Sequence, residues 1–397
     1  MAFTNLSDLD LNGKRVFCRV DFNVPIENGV IGDDERIRAA LPTLRLILKK
    51  GGRLVLASHL GRPKDVRAPE FSLAPVAVRL HDLLGQPLAF LTDCVGPQVE
   101  QFVSGMAPGQ VALLENVRFY KGEQAKPDTA EFKSFTAQLA KLADVYVGDA
   151  FGAAHRGHAS VAGVPGLLKI KAPGLLIPRE LEALERAINA PREAKTVVMG
   201  GLKVKDKIKV IDAMIDHCDT LIIGGAMAYT FLKSQGRKIG KSFLDTEMVD
   251  KVGGYLEKAK KQGVTVVLPI DTLAAPEMKA GSPSRVVEGD IPDDLEGFDI
   301  GPKSRALFAA TIAKAKTVIW NGPMGVFEIP DFAEGTMAVA KAVAANPGFT
   351  LVGGGDSVAA AHKAGVADKI THISTGGGAS LEMLEGRKLP GIEALRQ

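Results

Sequence analysis

The sequence predicts an α/β protein of two domains, each a mostly parallel β-sheet with helices on both faces. Short apolar runs alternate with amphipathic segments along the whole chain, as strands joined by helical crossovers do. The 397 residues, 46% of them hydrophobic, exceed what one ordinary core holds. Pro165, Gly166, Pro173, Gly174 and Pro178 crowd together near mid-chain, and a strong helical pattern follows them.

The elements follow in order. Residues 35–50 place Ile37, Leu41, Leu44 and Leu48 on one helical face, and Gly51-Gly52 ends the helix. Pro42 inside it is expected to kink the helix or mark its true start. Residues 53–58 (RLVLAS) read as a buried strand, as do 111–114, 145–147, 197–199, 220–223, 264–268, 317–320 and 350–352. Residues 179–189 (RELEALERAIN) turn Leu181, Leu184 and Ile188 inward, with Pro191 beyond the end, and read as a stiff connector between the halves.

Composition narrows the function. The formal charge is +3 with acids and bases intermixed, without the basic stripe of a nucleic-acid binder. Cys18, Cys94 and Cys218 are odd in number and far apart, which speaks against disulfides or a zinc site and for a reducing compartment. The first eleven residues carry Asp8 and Asp10 and no apolar run, unlike a signal peptide. No apolar stretch is long enough to span a membrane, so a cytoplasmic protein is expected.

In open α/β sheets, ligands bind beyond the carboxyl ends of the strands. In the first half those ends carry arginine repeatedly. Asp21-Phe22-Asn23 follows Val20, Arg36 opens a helix, His59-Leu60-Gly61-Arg62 follows RLVLAS, Arg118 follows VALLENV, and Arg156 lies between His155 and His158. One such arginine is explained by solvation alone. Four at the same topological edge point to a pocket for a doubly anionic small molecule, because the guanidinium fork suits phosphate and carboxylate.

The second half carries glycine turns instead. Gly200-Gly201 precedes Lys203 and Lys207, Gly224-Gly225 follows a strand, and so do Asn321-Gly322 and Gly353-Gly354-Gly355-Asp356-Ser357. Gly376-Gly377-Gly378 precedes a helix. Glycine lets backbone N–H groups approach phosphate oxygens, and a helix N-terminus adds a favourable dipole. Asp356 beside such a cradle suits Mg²⁺.

Two patterns mislead. Residues 236–242 (GRKIGKS) resemble a phosphate loop but are one residue short and follow a helix, so they read as an exposed loop. Gly353-Gly354-Gly355 resembles part of a dinucleotide fingerprint, yet the following THISTGGG offers no ribose-binding acid, which disfavours a nicotinamide-dependent oxidoreductase. His155 and His158 lack a third metal ligand nearby, and His59 is the histidine expected in a pocket.

The blocks RVDFNVP, DDERIRAALPT, SHLGRPK, FSLAPVA, LLENVRF, DAFGAAHRGHAS, GGLKVKDKI, GGAMAYTFL, GFDIGP, WNGPMGVFE, GGGDS and STGGGASLEMLEG run in order from near residue 15 to the C-terminus. Together they resemble the phosphoglycerate kinase family. The resemblance implies two Rossmann-like domains: 1–170 for 3-phosphoglycerate, with 382–397 packing back on it, a connector at 171–190, and 191–381 for the nucleotide. It implies that Asp21, Phe22, Asn23, Arg36, His59, Leu60, Gly61, Arg62, Arg118 and Arg156 bind 3-phosphoglycerate. Lys203 and Lys207 match positions on the nucleotide phosphates, and Gly297, Asn321 and Glu328 positions around base and sugar. Gly354, Gly355, Asp356 and Ser357 match the phosphate loop, with Asp356 as the Mg²⁺ ligand. Arg36 and Lys203 are the expected catalytic residues, assisted by backbone amides of Gly355 and Gly377.

The implied reaction is reversible phosphoryl transfer between 1,3-bisphosphoglycerate and ADP, giving 3-phosphoglycerate and ATP. Its nucleophile in the ATP-consuming direction is a carboxylate, ionised near neutral pH, so no general base is needed. The resemblance further implies a monomer. One ligand site on each half requires the halves to approach for transfer, so hinge closure is expected about 178–189 and 375–385. The alternative is a non-catalytic nucleotide-binding homologue, which is expected to lack Lys203, Arg36 or Asp356; all three are present. Leu202, Lys205, Ala226, Gly157 and Ser357 depart from the common family pattern, and Leu202 is expected to alter packing under Lys203.

Overall fold

A computed structural model of the chain describes residues 3–64 and 66–396. Among the residues read above, Met1, Ala2 and Gln397 lie outside the described set. The chain divides into two compact units, Met1–Leu181 with Lys388–Gln397, and Glu182–Arg387. The first crossing falls inside one helix, Leu176–Asn189, which starts three residues before the expected 179 and carries Pro178 in its first turn, where no intrahelical N–H bond is required. The second crossing falls at 387–388 rather than near 382. The helix Gly377–Leu384 packs on the helix Ile208–Ile215 of the second unit, which keeps 382–387 there.

The first unit is built on six parallel strands in the order Leu88–Leu91, Val111–Leu114, Arg53–Ala57, Arg15–Val20, Val145–Asp149, Ile170–Pro173. Side chains alternate across the sheet. Val16, Cys18 and Val20 enter one core with Leu54, Leu56 and Val147, while Phe17 enters the other with Val55, Ala112 and Tyr146. Each fully buried aliphatic side chain contributes about 2 kcal/mol. The helix Glu35–Lys49 runs through Pro42 and begins at Glu35, so Pro42 does not mark its start. Gly51, at φ +75°, donates to the Leu48 carbonyl and terminates it. At the C-terminus, the Gly391 N–H donates to the Ala154 carbonyl at 2.8 Å, and Leu395 joins the Phe17 core.

At the carboxyl end of Val145–Asp149, the buried Asp149 accepts the Leu176 N–H at 2.9 Å and so caps the connecting helix. Burial pushes its carboxyl up to about 7, against hydrogen bonds from Thr43, Leu176 and Ile177.

The second unit also holds six parallel strands, ordered Thr265–Val267, Thr220–Ile223, Lys195–Met199, Thr317–Asn321, Phe349–Gly353, His372–Ile373. In chain order this is 3-2-1-4-5-6, the order of dinucleotide-binding sheets, whose switch point lies between the first and fourth strands. A separate antiparallel sheet, Arg285–Glu288, Asp271–Ala275 and Glu296–Ile300, was not expected from the sequence. Loop 236–242 is only partly exposed: Ile239 and Ser242 are buried, and Ser242 Oγ accepts the Gly297 N–H at 2.9 Å.

Candidate functional site

Each unit carries a site at the carboxyl ends of its strands. In the first, the Phe22 N–H donates to Ser58 Oγ at 2.8 Å and joins the ends of two neighbouring strands. Asn23 Oδ1 accepts the Gly61 N–H at 2.8 Å. Gly61 has φ +58°, and a Cβ there would lie 2.5 Å from the Phe71 ring, so only glycine fits. Asn116 Nδ2 donates to the Leu60 carbonyl at 2.7 Å, and Arg118 Nη1 to the Gly61 carbonyl at 2.7 Å. Arg36 Nη1 reaches the Asp21 carboxylate at 3.3 Å and the Asn23 carbonyl at 3.1 Å.

Phe22 and Leu60 were expected to contact substrate, but both side chains enter the hydrophobic core and hold the loops from behind. Arg62 and Arg156 are exposed. Arg156 lies within electrostatic reach of Arg118. Among the described residues, Arg62 adjoins the group through its neighbour Gly61, whose carbonyl accepts from Arg118.

The centre of this cluster is a residue absent from the expected set. Arg19 is 1% exposed; its Nε donates to Ser160 Oγ at 2.7 Å, and its Nη1 to the Val20 carbonyl. Its Nη2 lies 3.2 Å from His59 Nδ1. A guanidinium only donates, so Nδ1 accepts and the His59 proton sits on Nε2. Burial, followed by Arg19 and Arg118, holds the His59 imidazole well below its usual range, so it is neutral. His158, weighed above only as half of a weak metal pair, belongs to the same cluster; burial and then Arg118 push it down to about 3. Fully buried Glu123 is the counter-charge: it accepts the Ser160 N–H at 2.9 Å and the Ser160 hydroxyl at 2.7 Å. Burial raises its carboxyl, against the pull of Arg19. Burial also lowers Arg118 to about 10, which leaves it cationic at neutral pH. The sequence signal for Arg19 was weak: within RVFCRV, alternation sets it with Arg15 on the face opposite Val16, Cys18 and Val20, and only Phe17 on that face hints at burial.

In the second unit, Lys207 Nζ donates to the carbonyls of Gly200 at 2.7 Å and Asn321 at 3.2 Å. Asn321 Nδ2 donates to the Gly353 carbonyl at 2.7 Å, and the Gly322 N–H to Ser357 Oγ. Ser357 is therefore fully buried with its hydroxyl used internally. Gly354, at φ +92°, precedes the helix Gly355–Lys363, so the Gly355 and Asp356 amides open that helix. A Cβ on Gly377 would lie 3.9 Å from Gly354 Cα, so the two glycine turns adjoin. Asp356 is exposed in the first helical turn and lies within electrostatic reach of Lys207. Lys203 is exposed and holds no described partner.

Beside this cradle opens a cavity of about 300 Å³. Its walls include Gly201, Leu202, Gly297, Glu328 and Asp356, together with Tyr229, Phe243, Met278, Glu296 and Val326, which the sequence did not single out. Leu202 does not pack under Lys203: it is 53% exposed and faces this cavity. Gly297 forms the wall because a Cβ would lie 2.1 Å from the Tyr229 hydroxyl. Among the described residues no group of three or more His, Cys, Asp or Glu could hold a metal ion.

The family profile described as phosphoglycerate kinase matches residues 6–387. The chain belongs to the phosphoglycerate kinase family. It is 51% identical over 405 residues to the phosphoglycerate kinase of Koribacter versatilis, covering 100% of this chain and 99% of that one. To that of Moorella thermoacetica it is 52% identical over 398 residues, covering 100% of both. The solved phosphoglycerate kinase of Coxiella burnetii superposes with a TM-score of 0.86 at 41% identity over 99% of both chains. That of Pyrococcus horikoshii gives 0.83 at 32% identity over 98% of both. As a phosphoglycerate kinase, the chain is a phosphotransferase acting between phosphoglycerate and ADP/ATP, with a carboxyl group as acceptor. Neither the oxidoreductase nor the non-catalytic alternative is favoured. Among the described residues no helix is long and apolar enough to cross a membrane.

Burial pushes the Lys207 ammonium down to about 8, against the pull of Asp356. A phosphate partner favours the charged form. If a nucleotide phosphate meets Lys207, binding should therefore take up a proton above pH 8, and affinity should fall with rising pH by at most about tenfold per unit. Calorimetric titration with ADP at pH 9, in two buffers of different ionisation enthalpy, measures the uptake; equal heats in both buffers would contradict the assignment.

Proposed function

We propose that the cationic cluster of the first unit binds 3-phosphoglycerate, and that the glycine cradle and cavity of the second bind Mg²⁺-ADP or Mg²⁺-ATP. The carrying observation is the charge imbalance of the first cluster. Arg19, Arg36, Arg118 and Arg156 gather around Asp21 and Glu123, four cations against two carboxylates. A di-anion with phosphate and carboxylate ends relieves that imbalance.

Asp21, Asn23, Arg36, His59, Gly61, Arg62, Arg118 and Arg156 are assigned to 3-phosphoglycerate, with Phe22 and Leu60 as its support. Lys203, Lys207, Gly354, Gly355 and Asp356 are assigned to the nucleotide phosphates, and Gly297 and Glu328 to its base and sugar. Asn321 and Ser357 brace that loop. The substrate carboxylate attacks without a general base. Catalysis then consists of alignment and of neutralising charge on the moving phosphoryl group, through Arg36, Lys203 and the amides of Gly355 and Gly377. One exposed carboxylate beside a phosphate cradle, with no multidentate protein cage among the described residues, fits a magnesium ion held mostly by the nucleotide's oxygens and by Asp356. When bound, such an ion neutralises phosphate charge.

With one ligand assigned to each unit, transfer requires closure, for which the two chain crossings supply the hinge. X-ray scattering should report compaction only when both substrates are present; an unchanged radius of gyration would exclude the hinge. A monomer in a reducing cytoplasm completes the reading; the three buried, unbridged cysteines support the reducing compartment. The direct test is a coupled assay: ATP consumption should require both 3-phosphoglycerate and magnesium, and turnover that ignores either would refute the proposal.

A further inference from the structure

The helix Leu176–Asn189 carries the chain from one unit into the other, and each of its ends is held by a buried polar side chain. A helix leaves its first N–H groups and its last carbonyls without partners inside the helix. At the start, Asp149 Oδ1 accepts the Leu176 N–H at 2.9 Å, and Thr43 Oγ1 accepts the preceding Leu175 N–H at 2.8 Å. Both side chains are fully buried. The grip is close: a Cβ on Gly174 would lie 2.3 Å from the Asp149 carboxyl carbon. At the other end, Lys195 Nζ donates to the Ile188 carbonyl at 2.7 Å. Lys195 is 1% exposed, and no carboxylate is among its described partners. A buried ammonium without a counter-charge is unfavourable, so its one carbonyl contact carries weight. Arg192, in the link after the helix, donates from Nε to the Cys218 carbonyl at 2.9 Å and fixes that link within the second unit.

These holders are rooted in elements that lead to the two sites. Asp149 ends the strand Val145–Asp149, and the chain runs on through the turn Phe151–Ala153 to Arg156. Thr43 lies about two turns after Arg36 on the helix Glu35–Lys49. Lys195 opens the strand Lys195–Met199, which leads directly into Gly200-Gly201 ahead of Lys203. A loose joint between two bodies admits many orientations, and reducing them to one costs conformational entropy. A helix fixed at both ends removes many of those orientations in advance, which is preorganisation.

We propose that Asp149 and Lys195 are positioning residues for phosphoryl transfer: as clamps at opposite ends of one helix, they confine the orientations of the open enzyme and so favour the closed form in which transfer occurs. The inference rests on the closure proposed above. Neither residue is assigned to a substrate, and each acts through the helix. Their effect falls on the step that needs both units and leaves the binding of either substrate alone untouched.

Asp149→Ala and Lys195→Met each remove one clamp; Met keeps most of the lysine stem and lacks the donor. With both substrates saturating, each variant should lower kcat by about fivefold, the size of one lost helix-end hydrogen bond. The calorimetric Kd of 3-phosphoglycerate and of ADP, each titrated alone, should stay at the wild-type value. Asp149→Asn keeps an acceptor for Leu176 and should recover most of the loss. The helix between the clamps is 14 residues long, about 20 Å. Independent effects so far apart multiply, whereas freeing either end of a shared helix frees the whole. The double variant should therefore lose about fivefold in kcat, like each single one, while the losses of stability in urea add. A double variant that loses about 25-fold, the product of independent effects, would overturn the shared role. So would a shifted Kd for either substrate alone, or unchanged kcat beside a lowered urea midpoint, which assigns both residues to stability only. Failure of the closure reading shows elsewhere: the wild type would not compact in X-ray scattering with both substrates bound, and the inference would fall with it.

Discussion

Arg36→Ala is expected to lower turnover by about 10²–10³-fold while costing only about 1 kcal/mol of stability or less. Its guanidinium is about a third exposed and holds Asp21 at 3.3 Å, a loose ion pair with little to contribute to folding. What it supplies is positive charge at a fixed position on the first turn of the helix Glu35–Lys49. A group that neutralises charge mainly in the transition state lowers kcat and kcat/KM together when removed. Lys203→Ala should lower turnover at little cost in stability too, and because Lys203 is also assigned to the nucleotide phosphates it should raise the KM for the nucleotide; the side chain is exposed and holds no described partner in the resting protein. Steady-state kinetics beside urea denaturation separates the two readouts. Activity lost only in proportion to stability would remove both residues from the catalytic role.

Glu123→Ala should show the opposite pattern, a loss of about 3–5 kcal/mol of stability. Glu123 is fully buried, four residues after the end of the Val117–Phe119 turn. Through Ser160 it is linked to Arg19, which is also buried. Removing the carboxylate leaves the Ser160 N–H and hydroxyl without their acceptor and Arg19 without a buried counter-charge. Glu123→Gln retains one acceptor oxygen and loses the charge and the second acceptor, so it should cost less than Ala but still well over about 1 kcal/mol. Denaturant unfolding followed at Tyr and Trp wavelengths would report it. A ΔΔG near zero for both variants would mean that Arg19 is charge-compensated by other means.

The alternation of apolar runs and helical segments located five of the six strands of the second parallel sheet but three of the six of the first, missing Arg15–Val20 at its centre, because a fully buried strand is legible only when it is apolar on both faces. Weaker elements escaped it. Strand Arg285–Glu288 (RVVE) is largely exposed and does not read as an apolar run, whereas Leu88–Leu91 (LAFL) is apolar throughout and was missed because it is only four residues long. The arginines were legible as charges at strand ends. Arg19 was passed over because it sits within a strand instead of after one. Ser357 and Phe22 were legible as loop members, but not as braces, since only packing reveals that a hydroxyl or a ring faces inward. The cavity wall was least legible: Phe243, Met278 and Glu296 come from separate segments, and no local pattern unites them.

The claim on which the rest depends is that the two substrates have separate homes, one in each unit. Calorimetric titration of each substrate separately into Arg62→Ala and Lys203→Ala tests it most directly, because both side chains are exposed and their loss should leave folding intact. Arg62→Ala should lose affinity for 3-phosphoglycerate and bind ADP as the wild type does; Lys203→Ala should weaken nucleotide binding and leave 3-phosphoglycerate untouched. A variant that loses both ligands, or the wrong one, would contradict the account.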